Sequence, residues 1–127
     1  MATLDHIILK VNDLEASVAF YTGVVGFIAE GTDGPFTILR VSPDLQIQIA
    51  PWGTPGFEHY AFSVSKADFD GIFGRIKAAG IAYGPTFDSV GVNTGPGEES
   101  GARGRAPTLY FNDPSKHLLE IRTYERD

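Results

Sequence analysis

A chain of 127 residues suits one domain, residues 1–127, and leaves no room for two independent hydrophobic cores. Ten Lys and Arg against sixteen Asp and Glu give a net charge of -6, which excludes the clustered positive surface that a nucleic-acid partner requires. Cysteine is absent, which excludes a disulfide framework, a thiol nucleophile and a thiolate metal site, so any metal must be held by His, Asp, Glu or backbone oxygen.

Along the chain, Asp5-His6-Ile7-Ile8-Leu9-Lys10-Val11 predicts a first strand. Leu14, Val18, Tyr21 and Val25 then recur at spacings of three and four, the apolar face of a helix, which stops at Gly26-Phe27. Strands follow over Phe27 to Glu30, Phe36 to Val41 and Leu45 to Ala50, separated by Gly-Thr-Asp-Gly-Pro and Ser-Pro-Asp turn signals. Glu58-His59-Tyr60-Ala61-Phe62-Ser63-Val64 then repeats the opening motif at an offset of 53 residues. A second helical face, Phe69, Ile72, Ile76 and Ala79, again ends on a glycine, Gly80. Strands are predicted at Ile81 to Phe87, Thr108 to Asn112 and His117 to Tyr124. Between the first two of these, GVNTGPGEESGARG (residues 91–104) holds five glycines and a proline without periodicity, and reads as a long loop, a lid or an inert insertion. The chain is thus read as two βαβββ repeats, about 4–53 and about 57–125. The fold class is α+β, with curled, mostly antiparallel sheet and helices outside.

Strand alternation sorts the side chains into two faces. Ile7, Leu9 and Val11 share the core face with Tyr60, Phe62 and Val64, Leu119 and Ile121. The other face gathers His6, Gln48, His59, Tyr110, Glu120 and Arg122, a polar trough if the sheet curls. Two imidazoles and a carboxylate are the minimum for a catalytic divalent-metal site with open positions. The alternative is a pair of solvated histidines; the matched place of His6 and His59 in their repeats favours the metal. His117 lies at the Asp113-Pro114-Ser115-Lys116 turn and reads as a turn residue. Arg122 is placed either to bind an anionic substrate group or to neutralise Glu120. Tyr110 is placed to donate a hydrogen bond, to act as general acid, or simply to fill the trough. Arg103 and Arg105 sit on the glycine-rich segment, positioned to cover a carboxylate or phosphonate or to stay in solvent. No apolar run approaches the ~18 residues of a membrane span. The opening Met1-Ala2-Thr3-Leu4-Asp5 has no basic segment or apolar signal core, so a soluble, cytoplasmic protein without a membrane partner is expected.

Three segments carry a family resemblance. LDHIILKVNDLEASVAFYTGVVGF, FEHYAFSV and YFNDPSKHLLEIRTYE are similar, in that order, to the first strand and helix, the mid-chain metal strand and the closing hairpin of the vicinal oxygen chelate superfamily. That superfamily includes glyoxalase I, extradiol dioxygenases, fosfomycin-resistance transferases and bleomycin-resistance proteins. The resemblance implies His6, His59 and Glu120 as metal ligands and one divalent ion (Mn2+, Fe2+, Ni2+ or Zn2+) per site. It further implies a small oxygenated substrate that chelates the metal, with an oxyanion stabilised on it by lyase, isomerase or transferase chemistry. Tyr110 is assigned as the catalytic residue, with Gln48, Arg103 and Arg122 as substrate contacts, and a homodimer is expected. The alternatives are a small Fe(II) dioxygenase of the extradiol type and a binding protein without turnover. Two departures stand out. Gln48 occupies the place of glyoxalase I's extra carboxylate ligand, and GPGEESGARG replaces the basic potassium-binding loop of the fosfomycin-resistance transferases.

Overall fold

A computed structural model describes residues 1–126 and divides the chain into two compact units, Met1–Gly56 and Phe57–Asp127. The first contains β1 (His6–Lys10), α1 (Leu14–Phe20), β2 (Ile28–Asp33), β3 (Phe36–Ser42) and β4 (Leu45–Ala50). Its sheet runs β1-β4-β3-β2, parallel between β1 and β4 and antiparallel elsewhere. Asp13 starts α1 by accepting the Ala16 N–H at 3.0 Å, one of the donors that a helix start leaves without a partner. After Phe20 the helix widens into a π-helical turn over Tyr21–Val25, and the Thr22 hydroxyl donates back to the Val18 carbonyl at 2.7 Å. Gly26 ends it with φ 92°, the left-handed backbone that glycine adopts without a Cβ clash.

The second unit repeats this plan with β5 (His59–Ser63), α2 (Lys66–Ala78), β6 (Tyr83–Gly84), β7 (Gly97–Gly101), β8 (Gly104–Asn112) and β9 (Leu118–Arg122). Ser65 caps α2 through the Asp68 N–H at 3.1 Å. The sheet runs β5-β9-β8-β6, with β5 and β9 parallel and β7 added antiparallel to β8. Each unit is therefore α+β around one open, mixed sheet. Alternation supplies the buried side chains: Leu9, Leu39, Ile47 and Ile49 in the first unit, Leu109, Phe111, Leu119 and Ile121 in the second, are all fully buried. Each such side chain contributes about 1.5–3 kcal/mol through burial.

Two expectations need correction. Residues 91–104 are not a structureless loop: Gly97–Gly101 pairs in register with Gly104–Thr108, so its second half is a β-hairpin. The strand predicted over Ile81 to Phe87 shrinks to Tyr83–Gly84. The Asn93 side chain accepts the Tyr83 N–H at 3.0 Å, and the Gly91 and Asn93 N–H groups donate to the Tyr83 carbonyl at 3.0 and 2.8 Å. Those bonds use the backbone groups that a longer ladder would need. No described helix is long and apolar enough to cross a membrane.

Candidate metal centre

The parallel register of β5 on β9 sets Ala61 opposite Glu120, and the antiparallel register of β8 on β9 sets Tyr110 opposite Glu120. Cross-strand partners share a sheet face, so His59, Tyr110 and Glu120 meet on one side. The His59 ring stacks on Tyr110 with centroids 6.1 Å apart and planes 17° from parallel. Its Nε2 lies 3.4 Å from Glu120 Oε1.

The second ring nitrogen settles the first. His59 Nδ1 is 3.1 Å from the Leu118 carbonyl, an acceptor only, so Nδ1 carries the hydrogen and donates it. In the neutral ring Nε2 then presents a lone pair beside a carboxylate oxygen, an arrangement that a divalent cation satisfies. Metal-binding imidazoles are ordinarily held in this way, through the nitrogen that does not touch the metal. His6 shows the same pattern, with Nδ1 2.7 Å from Asp5 Oδ2 and Nε2 turned away from that bond. The donor set fits a divalent ion.

Glu120 is 4% exposed and Arg122 5%. Arg122 Nη1 donates to Glu120 Oε2 at 2.8 Å and to the Ser100 carbonyl at 3.2 Å, while Nη2 donates to the carbonyls of Glu99 and Gly104, each at 3.0 Å. All four hydrogens on its terminal nitrogens are engaged within the fold. Of the two placings expected for Arg122, these contacts match the second: it pairs with Glu120 and fastens the hairpin. Tyr110 is 6% exposed. Burial, then the charge of Glu120 and a hydrogen bond to it, push the Tyr110 hydroxyl up to about 12. At neutral pH Tyr110 is a fixed donor.

His59, Glu120 and Arg122 border a cavity of about 380 Å³ that is closed on another side by Ser63, Arg103 and Tyr124. Arg103 donates to Ser63 Oγ at 3.1 Å and lies over the Tyr124 ring at 4.2 Å, and it forms no ion pair with a carboxylate among the described residues. Arg105 is turned instead to the Glu98 carbonyl at 2.7 Å. In the first unit His6 and Gln48 line a separate cavity of about 660 Å³ with Gln46 and Arg40. Gln48 donates its amide to Gln46 Oε1 at 3.2 Å, which leaves its own amide oxygen outside that bond. His117 is buried, and its Nδ1 accepts the Glu58 N–H at 3.3 Å, steadying the strand that begins at His59.

The six trough residues thus divide. His59, Tyr110, Glu120 and Arg122 come together in the second unit, His6 and Gln48 in the first, and no group of three His, Asp or Glu able to hold a metal occurs among the described residues. Ser63, Tyr124 and Asp5 were given no site role by the sequence. Alternation places Ser63 on the His59 face, and Asp5 is the acid of the repeated acid-His motif; no local signal marks Tyr124.

The chain is similar to known proteins over nearly its whole length. "Glutathione transferase FosA" of Serratia marcescens is 27% identical over 95% of this chain and 80% of its own length. "Metallothiol transferase FosB" of Shouchella clausii is 25% identical over 94% of this chain and 79% of its own. The solved structure of "Oxidase ChaP-H2" superposes with a TM-score of 0.79 at 32% identity, covering 98% of this chain and 94% of that one. By their names these relatives are a glutathione transferase, a metallothiol transferase and an oxidase. Residues 3–121 match one family model across nearly the whole chain, and the protein belongs to the Glyoxalase/Bleomycin resistance protein/Dioxygenase superfamily.

Proposed function

We propose that the protein is a metal-dependent enzyme acting on a small, oxygen-rich molecule that carries an anionic group. The observation behind this reading is the pairing of His59 Nε2 with Glu120 Oε1 at 3.4 Å, with the other nitrogen and the other oxygen each held from behind. His6, His59 and Glu120 are the proposed ligands. His6 belongs to a different unit from the other two, and no group of three such ligands occurs among the described residues. The reading includes a two-fold homodimer in which His6 of one copy completes the pair of the other.

A divalent ion held by these residues would supply Lewis acidity to neighbouring oxygens of the substrate. This chain's residues do the rest. Arg103, steadied by Ser63 and Tyr124, binds the anionic group with a planar guanidinium suited to carboxylate or phosphonate. Tyr110 donates its hydrogen bond without losing its proton, since a hydroxyl held near 12 is a poor general acid at neutral pH. Gln48 offers an amide oxygen to substrate hydroxyls from the cavity around His6.

Mixing variants tests the reading. His6→Ala and Glu120→Gln proteins should each bind Mn2+ poorly, and exchange of subunits between them should restore tight binding, because mixed dimers rebuild one intact site. No restoration in mixed dimers would refute the shared site; a monomer in sedimentation would refute the dimer. The likeness to a protein named an oxidase favours a second reading, Fe(II)-dependent oxygen chemistry. Oxygen uptake by the Fe(II)-loaded protein with catechols as probes separates the two.

A further inference from the structure

Gly101 has ordinary space requirements on its backbone but none for a side chain. It does not adopt a left-handed φ, so its backbone is open to any residue. A Cβ there would sit 2.3 Å from Arg122 Cζ and 2.6 Å from both of its terminal nitrogens. The guanidinium fills the place where a side chain would be.

We propose that Arg122 is a positioning residue for the metal ligand Glu120, seated by the hairpin of β7 and β8, and that residue 101 is glycine to make room for that seat. The proposal rests on Glu120 being a ligand. A buried ion pair recovers more of the cost of leaving water the more of its remaining donors are satisfied. Arg122 Nε is buried without a partner among the described residues, so the seat rests on the terminal nitrogens. Glu120 alone would satisfy one of the four terminal N–H bonds. The carbonyls of Glu99, Ser100 and Gly104 take the other three, and all of them belong to the hairpin or its turn. The guanidinium is planar, so fixing three of its bonds fixes the direction of the fourth, toward Glu120 Oε2. With Oε2 held there and the Tyr110 hydroxyl also bonded to the carboxylate, the remaining oxygen, Oε1, faces His59 Nε2. The hairpin thereby sets the angle at which Glu120 is offered, although it contributes no ligand itself.

The test is Mn2+ affinity in the intact protein, measured by titration, with folding followed by circular dichroism. Gly101→Ala is expected to weaken Mn2+ binding about 10- to 100-fold, the usual effect of disturbing a group that holds a metal ligand. Arg122→Lys, whose ammonium cannot span Glu120 and three carbonyls together, should give a similar loss and covers the case in which Gly101→Ala fails to fold. Glu98→Ala removes the hairpin's ion pair with Arg126 without touching the seat, and should leave affinity unchanged. Saturating Co2+ should give an altered visible spectrum in Arg122→Lys and the wild-type spectrum in Glu98→Ala. Wild-type affinity in either folded seat variant overturns the proposal, as does an equal loss in Glu98→Ala, which would reduce the effect to hairpin integrity. Glu120→Gln keeps the two readings apart. If it binds Mn2+ normally, the assignment of the metal site falls and this inference with it; if it loses Mn2+ while the seat variants do not, only the inference falls.

Discussion

The two units share a topology and a register, yet they present different chemistry at equivalent places. His6 pairs across to Gln46 as His59 pairs to Leu118, and Ile8 faces Gln48 where Ala61 faces Glu120. Continuing along the same strands, Ala50 stands where the second unit has Arg122. On the neighbouring strand Ile38 faces Gln48 where Tyr110 faces Glu120. The second unit thus has a charge, a counter-charge and a phenol; the first has an amide and two apolar residues. The first also lacks an inserted hairpin. A repeated fold has kept one imidazole in each copy and concentrated the anionic donor, with everything needed to bury it, in one of them. Burial of a carboxylate is what demands the difference, since an amide needs no counter-charge.

The comparison can be broken most severely by erasing the charge. Glu120→Gln makes the second unit resemble the first, and should cost more metal affinity than the about 10–100-fold typical of a supporting residue, as read by metal content after dialysis. Next in size is the reverse exchange. Gln48→Glu gives the first unit a carboxylate at the place of glyoxalase I's additional ligand, and should tighten divalent-metal binding on the order of tenfold, about 1.4 kcal/mol. Titration that shows equal or weaker binding would mean that residue 48 does not reach the metal.

Smaller effects sharpen what the units have in common. Asp13→Ala and Ser65→Ala remove equivalent helix caps and should each cost about 1 kcal/mol in urea unfolding. A marked inequality would show that one helix start is held by something other than its cap. Least visible at neutral pH is Tyr110→Phe. The Tyr110 hydroxyl has a folded-state value raised from 10.0 to about 12, so its stabilisation is complete below pH 10 and is lost as pH rises toward 12. Wild-type stability should fall over that window more steeply than that of Tyr110→Phe, in thermal melts taken across it.

The sequence revealed the repeats because strand and helix periods are local properties, and His6, His59 and Glu120 could be placed on one face type by counting in twos. It did not reveal that Arg122 would turn toward the hairpin. That depends on three carbonyls between 18 and 23 residues away, which only the β7–β8 pairing brings near. Glu98, Glu99 and Ser100 show no apolar alternation because β7 is held by backbone bonds and by that guanidinium. Local pattern therefore read as loop what tertiary contact makes strand. Similarly, the Tyr83 ladder is cut short by Asn93, a side chain ten residues further on.

The parallel pairing of β5 with β9 has a consequence in time. Its two strands are separated by the whole of α2, β6, β7 and β8, so His59 emerges from synthesis long before Leu118, whose carbonyl will orient its ring. Every element of the second unit must therefore be made before the β5–β9 pair can form. Until β9 is added, His59 is an imidazole on an unpaired strand, with neither its carboxylate neighbour nor its backbone acceptor. Metal capture is thus expected to be among the last events in maturation, and a nascent chain stopped before Leu118 should show no affinity for the ion.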